Sequence, residues 1–279
     1  MNIRSLGGHS GCRILLYEKD DNTTFVRKIS GDRDYNDRLK IQAEKQVNYS
    51  NKHILVPDVL GKGMNEDGLF YFDMEYIQGI TLAEYIKTIE VSRVRNIVHI
   101  IVDNIIDTQS NNAADEIAFL DKIASLKNKL LSKNNCVINS AIEVLENHCW
   151  NMFKRTACHG DLTMENIIVK ENQLYLIDFL DSFYDCWIMD ISSLMQDVQT
   201  MWSYRNEEID NNTLIRLIVF RDILMDEVKK VSGDIYIEVY YALLLKLIRS
   251  YPYTKDEDTY CYLNEKTISV LNIIGGISS

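Results

Sequence analysis

Short runs in which apolar and polar residues alternate, separated by glycine and Asx turns, fill roughly the first 80 positions and predict β-strands. Arg13–Glu18 and residues 23–29 flank Lys19-Asp20-Asp21-Asn22, a polar turn of the kind that joins a hairpin. A second hairpin is expected around residues 61–68, leading into 69–76. Between the two, residues 38–49 contain no Gly or Pro and carry Leu39, Ile41, Ala43, Glu44 and Val47, which predicts one helix.

After Gly79 the period changes from two to about 3.6. Thr81-Leu82-Ala83-Glu84 has the form of a capping box, so a helical region is expected to start there. Val94, Ile97, Val98, Ile101, Val102, Ile105 and Ile106 follow the i, i+3, i+4, i+7 spacing of one buried stripe, and Tyr240, Leu243, Leu244, Leu247 and Ile248 repeat it. A further helical pattern covers residues 136–154. One interruption stands out: residues 166–169 and 174–177 read as two short strands joined by Lys170-Glu171-Asn172-Gln173.

Composition narrows the class. The 279 residues are 46% hydrophobic and carry 30 Lys+Arg against 41 Asp+Glu, a net charge of −11. Such a chain can build a full core and at this length is expected to split into two lobes. It offers no basic face for a phosphate backbone, so nucleic acid is not an expected partner. No apolar run follows Arg4, and the most apolar later stretches are cut by Asp103 and Lys246, so neither a secretion signal nor a membrane span is expected. Cys12, Cys136, Cys149, Cys158, Cys186 and Cys261 form no C-x-x-C pair, which points to reduced thiols and a cytoplasmic location.

Candidate chemistry concentrates around the interrupting hairpin. Cys158-His159-Gly160-Asp161-Leu162-Thr163-Met164-Glu165-Asn166 reads as a polar loop ahead of its first strand, and Leu176-Ile177-Asp178-Phe179 closes the second with another carboxylate. Each of His, Asp and Asn is common in turns; together, at this spacing, they suit phosphoryl transfer. That chemistry needs a carboxylate to orient an attacking hydroxyl and oxygen ligands for Mg²⁺ on the phosphates.

The pattern His159-x-Asp161-x-x-x-x-Asn166 followed by Ile177-Asp178-Phe179 resembles the catalytic and metal motifs of the aminoglycoside phosphotransferase and choline kinase family, relatives of protein kinases. The resemblance implies an α+β, bilobal, protein-kinase-like fold. Residues 1–78 would form a nucleotide-binding lobe, a small antiparallel sheet with one helix. Residues 79–279 would form a larger, mainly helical lobe carrying the catalytic loop and hairpin. It implies ATP and Mg²⁺ as cofactors, Asp161 as the carboxylate that orients the acceptor, Asn166 and Asp178 as metal ligands, and His159 as a buttress of the loop. Asp190 would brace the loop backbone, or be a helix N-terminal acid favoured by the macrodipole.

In the first lobe, Gly7, Gly8, Ser10 and Gly11 resemble the family's glycine-rich loop, where backbone N–H groups approach phosphates, although a plain glycine hairpin reads the same. No Gly-Lys-Ser/Thr follows, so it is not a Walker A loop. Phe25-Val26-Arg27-Lys28 resembles the strand whose lysine contacts the phosphates. Because Arg27 and Lys28 alternate across the strand, only one can face a cleft; Lys28 matches, with Glu44 as its expected ion-pair partner. Phe72-Asp73-Met74-Glu75-Tyr76-Ile77 resembles the hinge, where the backbone of Glu75 and Ile77 would meet adenine, and Pro57 falls where the family often has a proline.

Thr163-Met164-Glu165 departs from the His-Pro-Gly often found inside this loop, which leaves the acceptor open. The expected partner is a small-molecule hydroxyl acceptor, a sugar or similar polar metabolite, with choline, ethanolamine or an aminoglycoside as alternatives. Residues 179–187 mix aromatic rings with Asp181, Ser182 and Asp185 and could wall the acceptor, or Phe183, Tyr184 and Trp187 could be core. A protein kinase is disfavoured by the short stretch between Asp178 and Asp190 and the lack of Ala-Pro-Glu. A catalytically silent binding protein is disfavoured by retention of Lys28, Glu44, Asp161, Asn166 and Asp178.

Overall fold

A computed structural model describes every residue except 1, 8–10, 22, 50–52, 108, 109, 111, 134 and 279, and the backbone alone at 278. The chain divides into two compact units, Met1–Thr81 with Asn166–Asp181, and Leu82–Glu165 with Ser182–Ser279. The expected division was contiguous, 1–78 and 79–279; what differs is the hairpin, which joins the amino-terminal unit through strand pairing.

In the first unit, β1 (Asn2–Leu6), β2 (Arg13–Glu18), β3 (Thr24–Ile29), β5 (Val59–Met64) and β6 (Phe70–Glu75) form an antiparallel sheet in the order β1-β2-β3-β6-β5. Helix α1 (Asn36–Asn48) packs on it around a core of Leu16, Val26, Leu39, Ala43, Phe70, Phe72 and Met74. A second sheet takes β4 (Ile54–Leu55), β7 (Ile80–Thr81), β8 (Ile167–Lys170) and β9 (Gln173–Leu176) in the order β4-β9-β8-β7. Its β4–β9 pair is parallel, and it captures the hairpin from far along the chain. Gly79 is required here, because a Cβ would stand 2.5 Å from the Val169 carbonyl oxygen.

The second unit is helical: α2 (Leu82–Ile86), α3 (Val91–Ile105), α4 (Glu116–Lys129), α5 (Cys136–Glu146), α6 (Trp187–Thr200), α7 (Asn211–Val231), α8 (Gly233–Ser250) and α9 (Glu257–Ser278). Val94, Ile97, Val98, Ile101, Val102 and Ile105 form the buried stripe of α3. Side chains of Asp115, Asn135, Asp210 and Ser232 cap α4, α5, α7 and α8 by accepting from free backbone N–H groups. Helix α5 stops at Glu146, short of the expected 154; Trp150 and Phe153 stay fully buried without helical backbone, stacked and tilted against Phe119. Helix α6 is buried nearly all round and is the central element of this unit. Among the described residues no helix is long and apolar enough to cross a membrane.

Candidate active site

In the first unit, β3 alternates as a strand must, so Arg27 and Lys28 leave it on opposite faces. Arg27 lies against the Tyr71 ring and makes a two-pronged bond to Asp73 on the neighbouring strand, with Nε–Oδ1 2.6 Å and Nη2–Oδ2 2.8 Å. Lys28 is 2% exposed. A buried ammonium needs partners, and it donates to Gln42 Oε1 at 3.0 Å and forms an ion pair with Asp178.

The expected partner, Glu44, is exposed on the far side of α1 and does not reach Lys28. The reason is helical phase: Asn36, Leu39, Gln42, Ala43 and Gln46 form the buried stripe, and Glu44 is turned about 200° from Gln42. Gln42 Nε2 in turn donates to Tyr35 Oη at 2.9 Å and to Asp181 Oδ1 at 2.7 Å, while Arg38 Nε meets Asp181 Oδ2 at 2.6 Å and Lys45 donates to the Leu180 carbonyl at 3.0 Å. Asp181, expected as a possible acceptor wall, is therefore occupied in tying α1 to the chain after β9.

Asp178 follows β9 with φ +61°, a left-handed conformation that Asp tolerates better than most residues. The β8–β9 turn is a two-residue one, with Glu171 and Asn172 both at positive φ. Because the Ile177 N–H donates to the Asn166 carbonyl at 3.0 Å, the hairpin brings residues 166 and 178 to the same end. One amide and one carboxylate at this end, the carboxylate 30% exposed, fit a Mg²⁺ that keeps waters and takes phosphate oxygens. No group of three or more His, Cys, Asp or Glu side chains among the described residues would cage a metal unaided.

Of the glycine-rich loop, Gly8 and Ser10 lie outside the described residues. Gly7 has open space where a Cβ would stand, and Gly11 has φ +62° with its carbonyl oxygen so close to Gly31 that a Cβ there would meet it at 2.0 Å. At the expected hinge the Glu75 N–H donates to the Asp58 carbonyl at 2.9 Å, which leaves Glu75 only its carbonyl to offer a nucleobase; the Ile77 side chain is buried.

In the second unit the loop before the hairpin hangs from α6. Asp190, fully buried, accepts from the backbone N–H groups of His159 at 2.6 Å and Gly160 at 2.9 Å, and Gly160 takes φ +94°. Burial pushes the Asp190 carboxyl up from the ordinary range, and the two donors pull against it. Two turns further along α6, Asp197 accepts from the Met164 N–H at 2.6 Å and from Ser203; burial pushes this carboxyl up to about 7. His159 is fully buried, and its Nδ1 accepts from the Asp161 N–H at 3.3 Å. The Asp161 side chain is 40% exposed, with Lys246 Nζ of α8 3.8 Å from its Oδ1. Backbone bonds thus hold the loop, while the Asp161 carboxylate at its head stays partly exposed.

Residues 179–187 contribute mainly to packing. Tyr184 and Trp187 are buried, Tyr184 Oη donates to the Phe153 carbonyl at 2.6 Å, and Asp185 accepts from Ser182 and from Cys158 Sγ. Sequence reasoning missed Gln42, Asp197, Lys246 and Arg249. The one available signal was Lys246, a charge inside the apolar stripe of α8.

No curated protein sequence matches this chain. Solved structures resemble it throughout. A thermostable mutant of an aminoglycoside phosphotransferase, solved with AMP-PNP and hygromycin B, superposes with a TM-score of 0.65 at 13% identity, over 97% of this chain and 93% of that one. The GDP complex of an aminoglycoside 2'-phosphotransferase gives 0.61 at 14% identity, covering 96% and 93%. A candidate fructosamine-3-kinase from Haemophilus somnus gives 0.58 at 17% identity, covering 97% and 91%. These likenesses establish the kinase-like α+β fold. A family model described as the phosphotransferase enzyme family matches residues 7–211, a span that includes Lys28, the Asp161 loop, Asp178 and Asp190, and the chain therefore belongs to that family.

Proposed function

We propose that the protein transfers the γ-phosphoryl group of ATP to a hydroxyl of a small molecule, a sugar or similar polar metabolite. The observation that carries this reading is the exposed Asp161 carboxylate on a loop whose backbone is pinned by the buried Asp190. A fixed carboxylate can accept a hydrogen bond from an attacking hydroxyl and hold it in line, which is most of what phosphoryl transfer asks of a side chain. Asn166 and Asp178 would hold Mg²⁺, whose chemistry is to neutralise charge on the phosphate oxygens. Lys28, paired with Asp178, would contact the phosphates, with Gln42 orienting its ammonium. The glycine-rich segment around Gly7 and Gly11 and the backbone at Glu75 and Ile77 would receive the nucleotide. The six free thiols suit a reducing compartment, the cytoplasm.

The test is ADP release from Mg·ATP across a panel of sugars, polyols, amino alcohols and aminoglycosides. Saturable release with a small hydroxyl compound is the expected result; ATP that neither binds nor turns over with any of them refutes the reading. An aminoglycoside acceptor is the second reading, favoured by the likeness to two aminoglycoside phosphotransferases.

Within this reading, Lys28→Ala is expected to weaken ATP binding or turnover tenfold or more, the scale of a lost charge-assisted contact. Arg27→Ala, which removes a cross-strand bond on the other face, should cost stability and leave the nucleotide Kd within a few-fold. Isothermal titration with Mg·AMP-PNP separates them, and the reverse order would refute the role of Lys28.

A further inference from the structure

Helix α8 sets two cations beside Asp161. Lys246 and Arg249 are one turn apart and therefore share a helix face. Lys246 is 7% exposed, and its Nζ, 3.8 Å from Asp161 Oδ1, is too far for a hydrogen bond. Arg249 is half-buried, lies over the Phe183 ring at 5.2 Å and senses the charge of Asp161. Phe183 is itself held edge-on by Phe119, so the stack limits how far the guanidinium can swing. Neither ammonium nor guanidinium makes a hydrogen bond among the described residues. Asp190, the other carboxylate near Lys246, spends both oxygens on backbone N–H groups.

Two cations with unfilled donors therefore stand on the helix face beside the partly exposed Asp161 carboxylate. Burial pulls both below their ordinary values, and Asp161 pushes them back up. The open donors of both side chains offer an anion charge-assisted hydrogen bonds beside Asp161.

We infer that Lys246 and Arg249 form the acceptor's recognition subsite, and that the acceptor carries a carboxylate close to the hydroxyl that Asp161 orients. The inference rests on the kinase reading above and names its substrate class. The planar fork of a guanidinium matches one carboxylate through two parallel hydrogen bonds, while Lys246 adds a point charge that attracts an anion and repels an amine. A hydroxy acid or sugar acid satisfies this chemistry; a polycationic aminoglycoside brings more positive charge to a place that already has it.

The experiment compares matched acceptors at fixed Mg·ATP: gluconate, sorbitol and glucamine, which share a polyol chain and differ in the terminal group, and glycerate, glycerol and aminopropanediol as a shorter set. The expected order of kcat/KM is carboxylate, then neutral, then amine, with at least a tenfold step from the first to the second. In Arg249→Gln that carboxylate-to-neutral ratio should fall tenfold or more, chiefly through KM, and Arg249→Lys should restore part of it. A merely structural role for Arg249 would depress all acceptors alike and leave the ratio intact, which overturns the proposal. So does turnover that prefers the neutral or amine member, or the absence of carboxylate turnover well above the usual KM range while Mg·AMP-PNP still binds. Those outcomes leave the kinase reading standing. If Mg·AMP-PNP itself fails to bind, it is the kinase reading that falls, and this proposal with it.

Discussion

Asp161→Asn is expected to lower turnover by about 10²–10⁴-fold while leaving the Kd for Mg·ATP within a few-fold of the parent value. The loop is built from backbone bonds, Asp161 N–H to His159 Nδ1 and Thr163 N–H to the Asp161 carbonyl, and the substitution keeps both. What it removes is a negative charge and a strong acceptor at the partly exposed Asp161 side chain. Steady-state kinetics with a turned-over acceptor, together with calorimetric binding of Mg·AMP-PNP, measures the split. Undiminished activity in this variant would refute the assigned role of Asp161.

Asp178→Ala is expected to abolish Mg²⁺-dependent turnover and to destabilise the fold at the same time. The second effect arises because Lys28 is buried and would lose its anionic partner, keeping only Gln42. Removing one member of a fully buried pair costs about 3–5 kcal/mol; with Asp178 30% exposed, about 1–3 kcal/mol is the expected loss. Alanine at φ +61° adds strain that Asn avoids. Asp178→Asn is thus the cleaner variant for chemistry, since it keeps the backbone conformation and one oxygen but not the charge. Mg²⁺ titration of turnover and thermal unfolding of both variants give the two readings; activity that survives in Asp178→Ala would refute the metal role.

Much of the fold is legible in the chain because its patterns are local. The β2–β3 hairpin follows from two alternating runs about a polar turn, and α3 from a stripe with a helical period. The end of α5 is not legible, because Trp150 and Phe153 continue an apolar pattern that tertiary packing on Phe119, and not a helix, satisfies. Glu44 shows a different error. Selecting the acidic residue in the helix by type passed over its phase, and Gln42, a neutral residue on the buried face, holds the position. For the candidate site, the spacing from His159 to Asp178 is readable since one loop and one hairpin carry it. Lys246 and Arg249 are not, because 85 residues separate Lys246 from Asp161 and only the packing of α8 beside the loop joins them. Lys246 did interrupt an apolar stripe, and a charge inside a buried face is the kind of mark that merits a search for its partner.

The seven-residue interval between Asp190 and Asp197 makes α6 a length standard for the loop it carries. Two helical turns return both carboxylates to one face, about 10 Å apart along the axis, one gripping His159 and Gly160 and the other Met164. Inserting or deleting a single residue between them would rotate one grip by about 100° and drop one end of the loop. Point substitutions elsewhere on α6 can be absorbed by repacking, but its register between these positions cannot change. Length variation in this part of the chain is therefore confined to the connections before Trp187 and after Thr200.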